Sequence, residues 1–139
     1  MPKLILGSGS PRRLSLLSLA GFDIDDVIPP NIPEERDPSE TPHQYVRRLA
    51  KEKASAVQSE NAWIVAADTI VHKGNDIFEK PTDASDAARM LKSLSGNWHK
   101  VTSAWCIKWC GPDACPAERS TTSGSRTSRV KFRYLNDVE

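Results

Sequence analysis

Hydrophobic and polar positions change period several times along this chain, and each change marks a predicted element. Lys3 to Leu6 reads as a short buried strand running into Gly7-Ser8-Gly9-Ser10, small residues that let the backbone turn sharply. Ser10 as cap, Pro11 at the first helical position and Leu14, Leu16, Leu17 and Leu19 as an apolar face predict a helix that Gly21 ends. Phe22 to Ile28 alternates apolar with acidic residues, as a half-exposed strand does. Five of the ten prolines fall between Pro29 and Pro42, which excludes regular structure there and leaves Glu34, Glu35 and Asp37 on irregular backbone.

The period then returns to that of a helix. Thr41-Pro42-His43-Gln44 has the form of a capping box and opens a helix over about 42–59. Tyr45, Val46, Leu49, Ala50, Ala54 and Val57 form its buried stripe, Arg47, Arg48, Lys51 and Glu52 face water, and Lys53 borders the stripe. Trp63 to Val71 is the strongest strand pattern, and Asp68 interrupts an otherwise apolar run. Lys73 to Asp76 reads as a turn, and Ile77-Phe78 resumes briefly. Pro81 precedes a helix capped by Asp83 or Ser85, with Ala87, Ala88, Met90, Leu91 and Leu94 turned inward and Gly96 at its end. Trp98 to Trp109 alternates as a strand. Residues 111–128 are rich in Pro, Ser, Thr and Gly, with seven Ser or Thr among the nine residues 120–128, and are expected to be a flexible loop. Arg129 to Leu135 is expected to pair with the preceding strand. Interleaved strands and helices give an α/β class, a mixed central sheet flanked by helices, in one domain spanning 1–139.

Composition narrows the function classes. Nineteen Lys and Arg against 18 Asp and Glu leave a formal charge of +1, so no global field gathers a polyanion and nucleic acid is not expected as a partner. No apolar stretch approaches the roughly 20 residues that cross a bilayer, and the start of the chain has neither a secretory nor an Arg-rich presequence pattern. A cytoplasmic location is therefore expected. Cys106, Cys110 and Cys115 match no familiar zinc spacing, which makes reduced thiols the simplest reading. By segment, residues 1–20 hold three cations and no acid, whereas 21–60 hold nine acids and five bases. An anion site should therefore involve the first twenty residues.

Two stretches carry candidate chemistry. In Gly7 to Arg13 a loop enters a helix, so free N–H groups, the helix dipole, the hydroxyls of Ser8 and Ser10 and the guanidinium groups of Arg12 and Arg13 can cradle phosphate. It is neither a Walker loop nor a dinucleotide turn, and a capped surface helix with solvated arginines would read the same way. Asp68-Thr69 puts a carboxylate on a buried strand, which suits a metal, a cation partner or a cleft, although it also suits a strand end that caps a turn. Lys53 and Lys80 read singly as solvated charges, though Pro81 holds the backbone of Lys80 extended. Glu34 can join Asp68 in holding a divalent ion. His99 and the four tryptophans suit structure or substrate contact, and His43 and His72 look incidental.

The order of these features sharpens them. Ser8-Gly9-Ser10-Pro11-Arg12-Arg13, Pro30 to Glu34, Tyr45-Val46-x-Arg48-Leu49-Ala50-x-x-Lys53-Ala54, Ala67-Asp68-Thr69-Ile70-Val71, Lys80-Pro81 and Ser95-Gly96-x-x-His99-x-Val101 together resemble the Maf family from Lys3 to about Ile107, and more weakly over Val130 to Leu135. The resemblance implies a nucleoside triphosphate pyrophosphatase with the fold of inosine triphosphate pyrophosphatases, cutting between the α- and β-phosphates. It implies a divalent metal (Mg²⁺ or Mn²⁺), a homodimer and an association with septum formation. Asp68 matches the family's proton acceptor, Arg12 and Thr69 match positions linked with substrate choice, and Ser8, Arg13, Glu34, Lys53 and Lys80 match other residues of its cleft. The Pro-Arg-Arg form resembles the branch preferring dTTP and UTP. Three departures accompany the match: Glu79 where the family usually has glycine, no recognisable counterpart of 111–128, and a chain that stops several tens of residues short of the family's length. A catalytically silent nucleotide-binding or interaction module in cell-division control is the alternative, and self-association through exposed apolar sheet surface is a third reading.

Overall fold

The computed structural model describes residues 2–111 and 121–136. In chain order its elements are β1 (Lys3–Leu6), α1 (Pro11–Leu19), β2 (Asp26–Val27), α2 (Pro42–Ala56), β3 (Ala62–Lys73), β4 (Asp76–Phe78), α3 (Ala84–Leu94), β5 (Trp98–Cys110) and β6 (Thr121–Lys131). The sheet runs β2-β1-β3-β5-β6, with β4 pairing the far end of β3. β1 pairs parallel with β2 and β3, whereas β3 with β5 and β5 with β6 are antiparallel, so the sheet is mixed as the interleaved pattern predicts.

Helix α2 forms because its capping box closes as the sequence predicts. Thr41 Oγ1 accepts from Gln44 N at 3.2 Å, and Gln44 Oε1 accepts from Thr41 N at 3.0 Å. Of its stripe, Val46, Ala50 and Ala54, with Val57 just beyond it, are buried against Ile64, Ala66, Ala104 and Cys106 of β3 and β5, and Tyr45 and Leu49 are buried as well. These even-numbered sheet positions face α2, and odd-numbered ones such as Trp63, Thr69 and Trp105 face the other way. That second face is only partly covered. Trp63 and Trp105 keep 41% and 40% of their surface exposed, although burying such a side chain would contribute about 1.5–3 kcal/mol.

Several expectations are corrected. Helix α1 has no buried residue: Leu16 and Leu19 are exposed, and Leu14 and Leu17 are only half-buried. Ser10 occupies the cap position of α1 but its side chain makes no capping bond. In α3 Asp83 accepts from Asp86 N at 2.7 Å as a cap, yet only Leu94 is buried, so Ala88 and Leu91 do not face a core. The alternation from Phe22 to Ile28 yields a strand only at Asp26–Val27, and Phe22 is exposed. Arg48 does not simply face water. It donates to Glu40, Glu52 and the carbonyl of Glu35 and lies over the Tyr45 ring, clamping the proline-rich segment onto α2.

The expected loop over 111–128 is overturned for residues 121–128, which belong to β6. The remaining part, 112–120, lies outside the described residues. Strand β6 pairs with β5 from Thr121 to Lys131, earlier in the chain than the expected 129–135. Its threonines suit a pleated surface, and Thr127 Oγ1 meets Thr102 Oγ1 at 2.8 Å, which in turn meets His72 Nε2 at 2.8 Å. His72 is therefore a buried cross-strand link and not incidental. Cys106 and Cys110 carry free thiols, and burial pushes the Cys106 thiol up from its ordinary value. Among the described residues no helix is long and apolar enough to cross a membrane.

Candidate active site

Two clusters lie on opposite faces of β3, one of them where the Gly7–Ser10 turn passes the strand. Gly7 must lie close to that strand: its N–H donates to Val65 O at 2.8 Å, and a Cβ there would stand 3.0 Å from Val57 Cγ2. The turn delivers Ser8, 3% exposed, whose Oγ accepts from Arg13 Nη1 at 2.9 Å and from Ser10 N at 3.2 Å. Arg13 Nη2 also donates to Thr69 Oγ1 at 3.3 Å, so one planar guanidinium ties the turn to the strand. Thr69 Oγ1 pairs with Ser103 Oγ at 2.9 Å across the β3–β5 ladder. Arg12 is exposed and lines the same cleft of about 620 Å³, together with Ser10, Arg13, Thr69 and Ser103.

Asp68, next in the chain to Thr69, points to the opposite face, toward α2. Its Oδ1 accepts from Lys53 Nζ at 2.9 Å, and the same ammonium lies 2.8 Å from Glu34 Oε1. The Asp68 and Lys53 side chains keep only 13% and 14% of their exposure, against 53% for Glu34. Burial works against the Lys53 charge, but its bonds with Glu34 and Asp68 outweigh it and raise the lysine above its ordinary value. The strand carboxylate is thus explained by a cation partner.

Tyr45 sits two helical turns before Lys53 on the same stripe, and its hydroxyl reaches Glu79 Oε1 at 3.4 Å. Burial first, then the charges of Glu79, Glu34 and Asp68, push the Tyr45 phenol up to about 12. The hydroxyl therefore stays protonated as a donor to Glu79. Lys80, by contrast, is exposed and makes no ion pair with a described residue. The structure brings together Ser8, Arg13 and Thr69 on one side and Glu34, Lys53 and Asp68 on the other, with Arg12 and Ser10 at the rim. Lys80 stays outside both clusters.

Ser103 and Tyr45 are site residues that sequence reasoning missed, whereas Glu79, noted there as a departure from the family pattern, accepts from the Tyr45 hydroxyl. Ser103 lies on an alternating strand, but its place opposite Thr69 depends on a register set across about 35 residues. Tyr45 had a usable signal, since positions 45, 49 and 53 share one helical face.

A divalent cation suits the chemistry of the acidic cluster. Glu34 and Asp68 offer oxygen donors that converge on one ammonium, and hard cations take one or two carboxylates together with waters and substrate phosphates. No group of three or more metal-ligating side chains is arranged to hold an ion among the described residues.

The fold and the paired clusters define the class: an α/β protein of the mixed-sheet type seen in two Ham1 proteins, from Staphylococcus aureus (TM-score 0.54, 14% identity, 93% of this chain and 71% of that one) and from Coxiella burnetii (TM-score 0.56, 14% identity, 94% and 73%). At that identity the likeness concerns the fold alone. Residues 3–139 match the family model Maf, described as Maf-like protein, and the chain belongs to the Maf family. Relatives include the dTTP/UTP pyrophosphatases of Geobacter metallireducens, 48% identical over 99% of this chain and 69% of the relative, and of Koribacter versatilis, 45% identical over 98% and 67%. That of Vibrio cholerae is 46% identical over 99% of this chain and 70% of its own length. The chain thus spans about two thirds of these relatives.

Proposed function

We propose that this chain is a nucleoside triphosphate pyrophosphatase acting on dTTP and UTP, releasing a monophosphate and pyrophosphate. The observation that carries the reading is the adjacency of Asp68 and Thr69. Successive residues of β3 join a carboxylate–ammonium cluster on one face to an arginine–hydroxyl cluster on the other. Family membership and the names of the relatives support the same reading.

The division of labour follows from charge. A triphosphate brings about four negative charges, and cations confined in a cleft act on it more strongly than in bulk water. Arg12 and Arg13 supply bidentate donors for phosphate oxygens, and Ser8 fixes the Arg13 fork. Asp68 orients the attacking water and accepts its proton, and Lys53 holds the Asp68 carboxylate in place. Lys80, exposed after β4 beside Glu79, is assigned the role of a further cation toward the phosphates on its match to the family's cleft residues alone. Glu34 and Asp68 would hold Mg²⁺ or Mn²⁺, which when bound supplies charge neutralisation at the phosphates.

The test is a panel of nucleoside triphosphates assayed for pyrophosphate release with Mg²⁺ or Mn²⁺. Turnover of dTTP and UTP well above the purine nucleotides is expected. Binding of a nonhydrolysable dTTP analogue by calorimetry with no release from any nucleotide would replace the enzyme by a silent binding module.

A further inference from the structure

We infer that Trp105 is the platform on which the nucleobase stacks, which rests on the nucleotide reading above and gives it a base subsite. Trp105 stands on β5 two residues beyond Ser103 and therefore on the same face, opposite Ala67 of β3. It lines the cleft of about 620 Å³ that also contains Arg12, Arg13, Thr69 and Ser103. One end of that cleft is polar and cationic, and the part around Trp105 is apolar. A nucleotide has the same division, with charge at the phosphates and a flat ring at the other end.

The support beneath the indole is specific. Its β6 neighbour in register is Gly124, where a Cβ would stand 2.4 Å from Trp105 Cζ2, so the ring lies across bare backbone. Forty per cent of Trp105 stays exposed, and the residue lines the cleft. The other three tryptophans have partners: Trp63 and Trp109 pack together at 5.1 Å, and Trp98 lies under Arg129 and Lys131 at 4.8 and 5.8 Å. No aromatic or cationic partner covers Trp105 among the described residues. An indole held flat on one side and open on the other is a stacking surface with little ordering left to do on binding.

The experiment is a fluorescence and calorimetric titration with an α,β-methylene analogue of dTTP and, separately, with inorganic tripolyphosphate, which has no base. Base–aromatic stacking is of a size that makes Trp105→Ala weaken the analogue about tenfold, with tripolyphosphate binding unchanged. Trp105→Phe should restore most of the affinity while losing the analogue-induced change in tryptophan emission. Gly124→Val should act in the same direction as Trp105→Ala with the indole still present. Analogue affinity within twofold of wild type in Trp105→Ala, equal weakening of both ligands, or an emission change that persists in Trp105→Phe each overturns the stacking inference alone. A wild-type chain that binds neither ligand and releases no pyrophosphate overturns the nucleotide reading itself.

Discussion

Replacing Lys53 by methionine isolates the cation that joins the two carboxylates, because methionine keeps most of the apolar stem and removes only the charge. Lys53 Nζ lies 2.8 Å from Glu34 and 2.9 Å from Asp68. At an effective dielectric of about 20, each contact is a gross attraction of roughly 6 kcal/mol, most of which is offset by the cost of drying the charges. Losing one partner of a fully buried pair costs about 3–5 kcal/mol. Glu34 is half exposed and can turn to water, so the loss falls mainly on Asp68 and comes to about 2–3 kcal/mol. For a chain of this size that lowers Tm by about 6–12 °C.

The pH dependence gives the prediction its sign. The fold raises Lys53 above its ordinary value, so its contribution is fully present below the ordinary lysine pKa and is lost as pH climbs through the folded one. The stability gap between wild type and variant should therefore hold steady across neutral pH and narrow as pH rises above about 10.5. Thermal unfolding followed by circular dichroism, with chelator present, measures both effects. A Tm within about 2 °C of wild type at neutral pH, or a gap that does not narrow above about pH 10.5, would refute the bridging role of Lys53.

Three further outcomes follow from other contacts. Arg48→Met removes bonds to Glu40, Glu52 and the Glu35 carbonyl and should lower stability by about 1–2 kcal/mol, since the pairs are partly exposed; denaturant unfolding reads the loss, and proteolysis should find the segment before α2 cut faster. Ser103→Ala leaves Thr69 held by Arg13 alone and should raise KM for dTTP about fivefold, the value of one hydrogen bond, with Ser103→Thr restoring it. His72 and His99 are both pushed below the ordinary 6.5, chiefly by burial, so the unfolded chain binds more protons just below that pH. Stability should therefore fall as pH drops through about 6.5, and His99→Leu should make a Tm series between pH 7.5 and 5 less steep.

Much of the fold was legible where the signal is local. The turn from Gly7 to Ser10, the capping box at Thr41 and the stripe of α2 each need only a few neighbouring residues, and each forms as the pattern predicts. The apolar face of α1 was legible as a pattern but not as a contact, because periodicity says which side is apolar and not whether anything covers it. Strand β6 was misread because Ser- and Thr-rich composition resembles a loop, whereas the hydroxyls of Thr127 and Thr102 bond across the ladder and Gly124 makes room for Trp105. Within the site, Asp68 stood out as a charge on an apolar strand. The bridge from Glu34 through Lys53, the bond from Thr69 to Ser103 and the clamp of Arg48 on Glu40 join residues on different segments. They arise from packing that no single segment encodes.

Pyrophosphate release from dTTP with Mg²⁺ by wild type and by Asp68→Asn tests the central claim most directly, with circular dichroism to establish that both are folded. The account predicts steady release by wild type and a loss of at least a hundredfold in kcat in the variant, the scale of a positioned general base. Equal rates in the two folded proteins would contradict it.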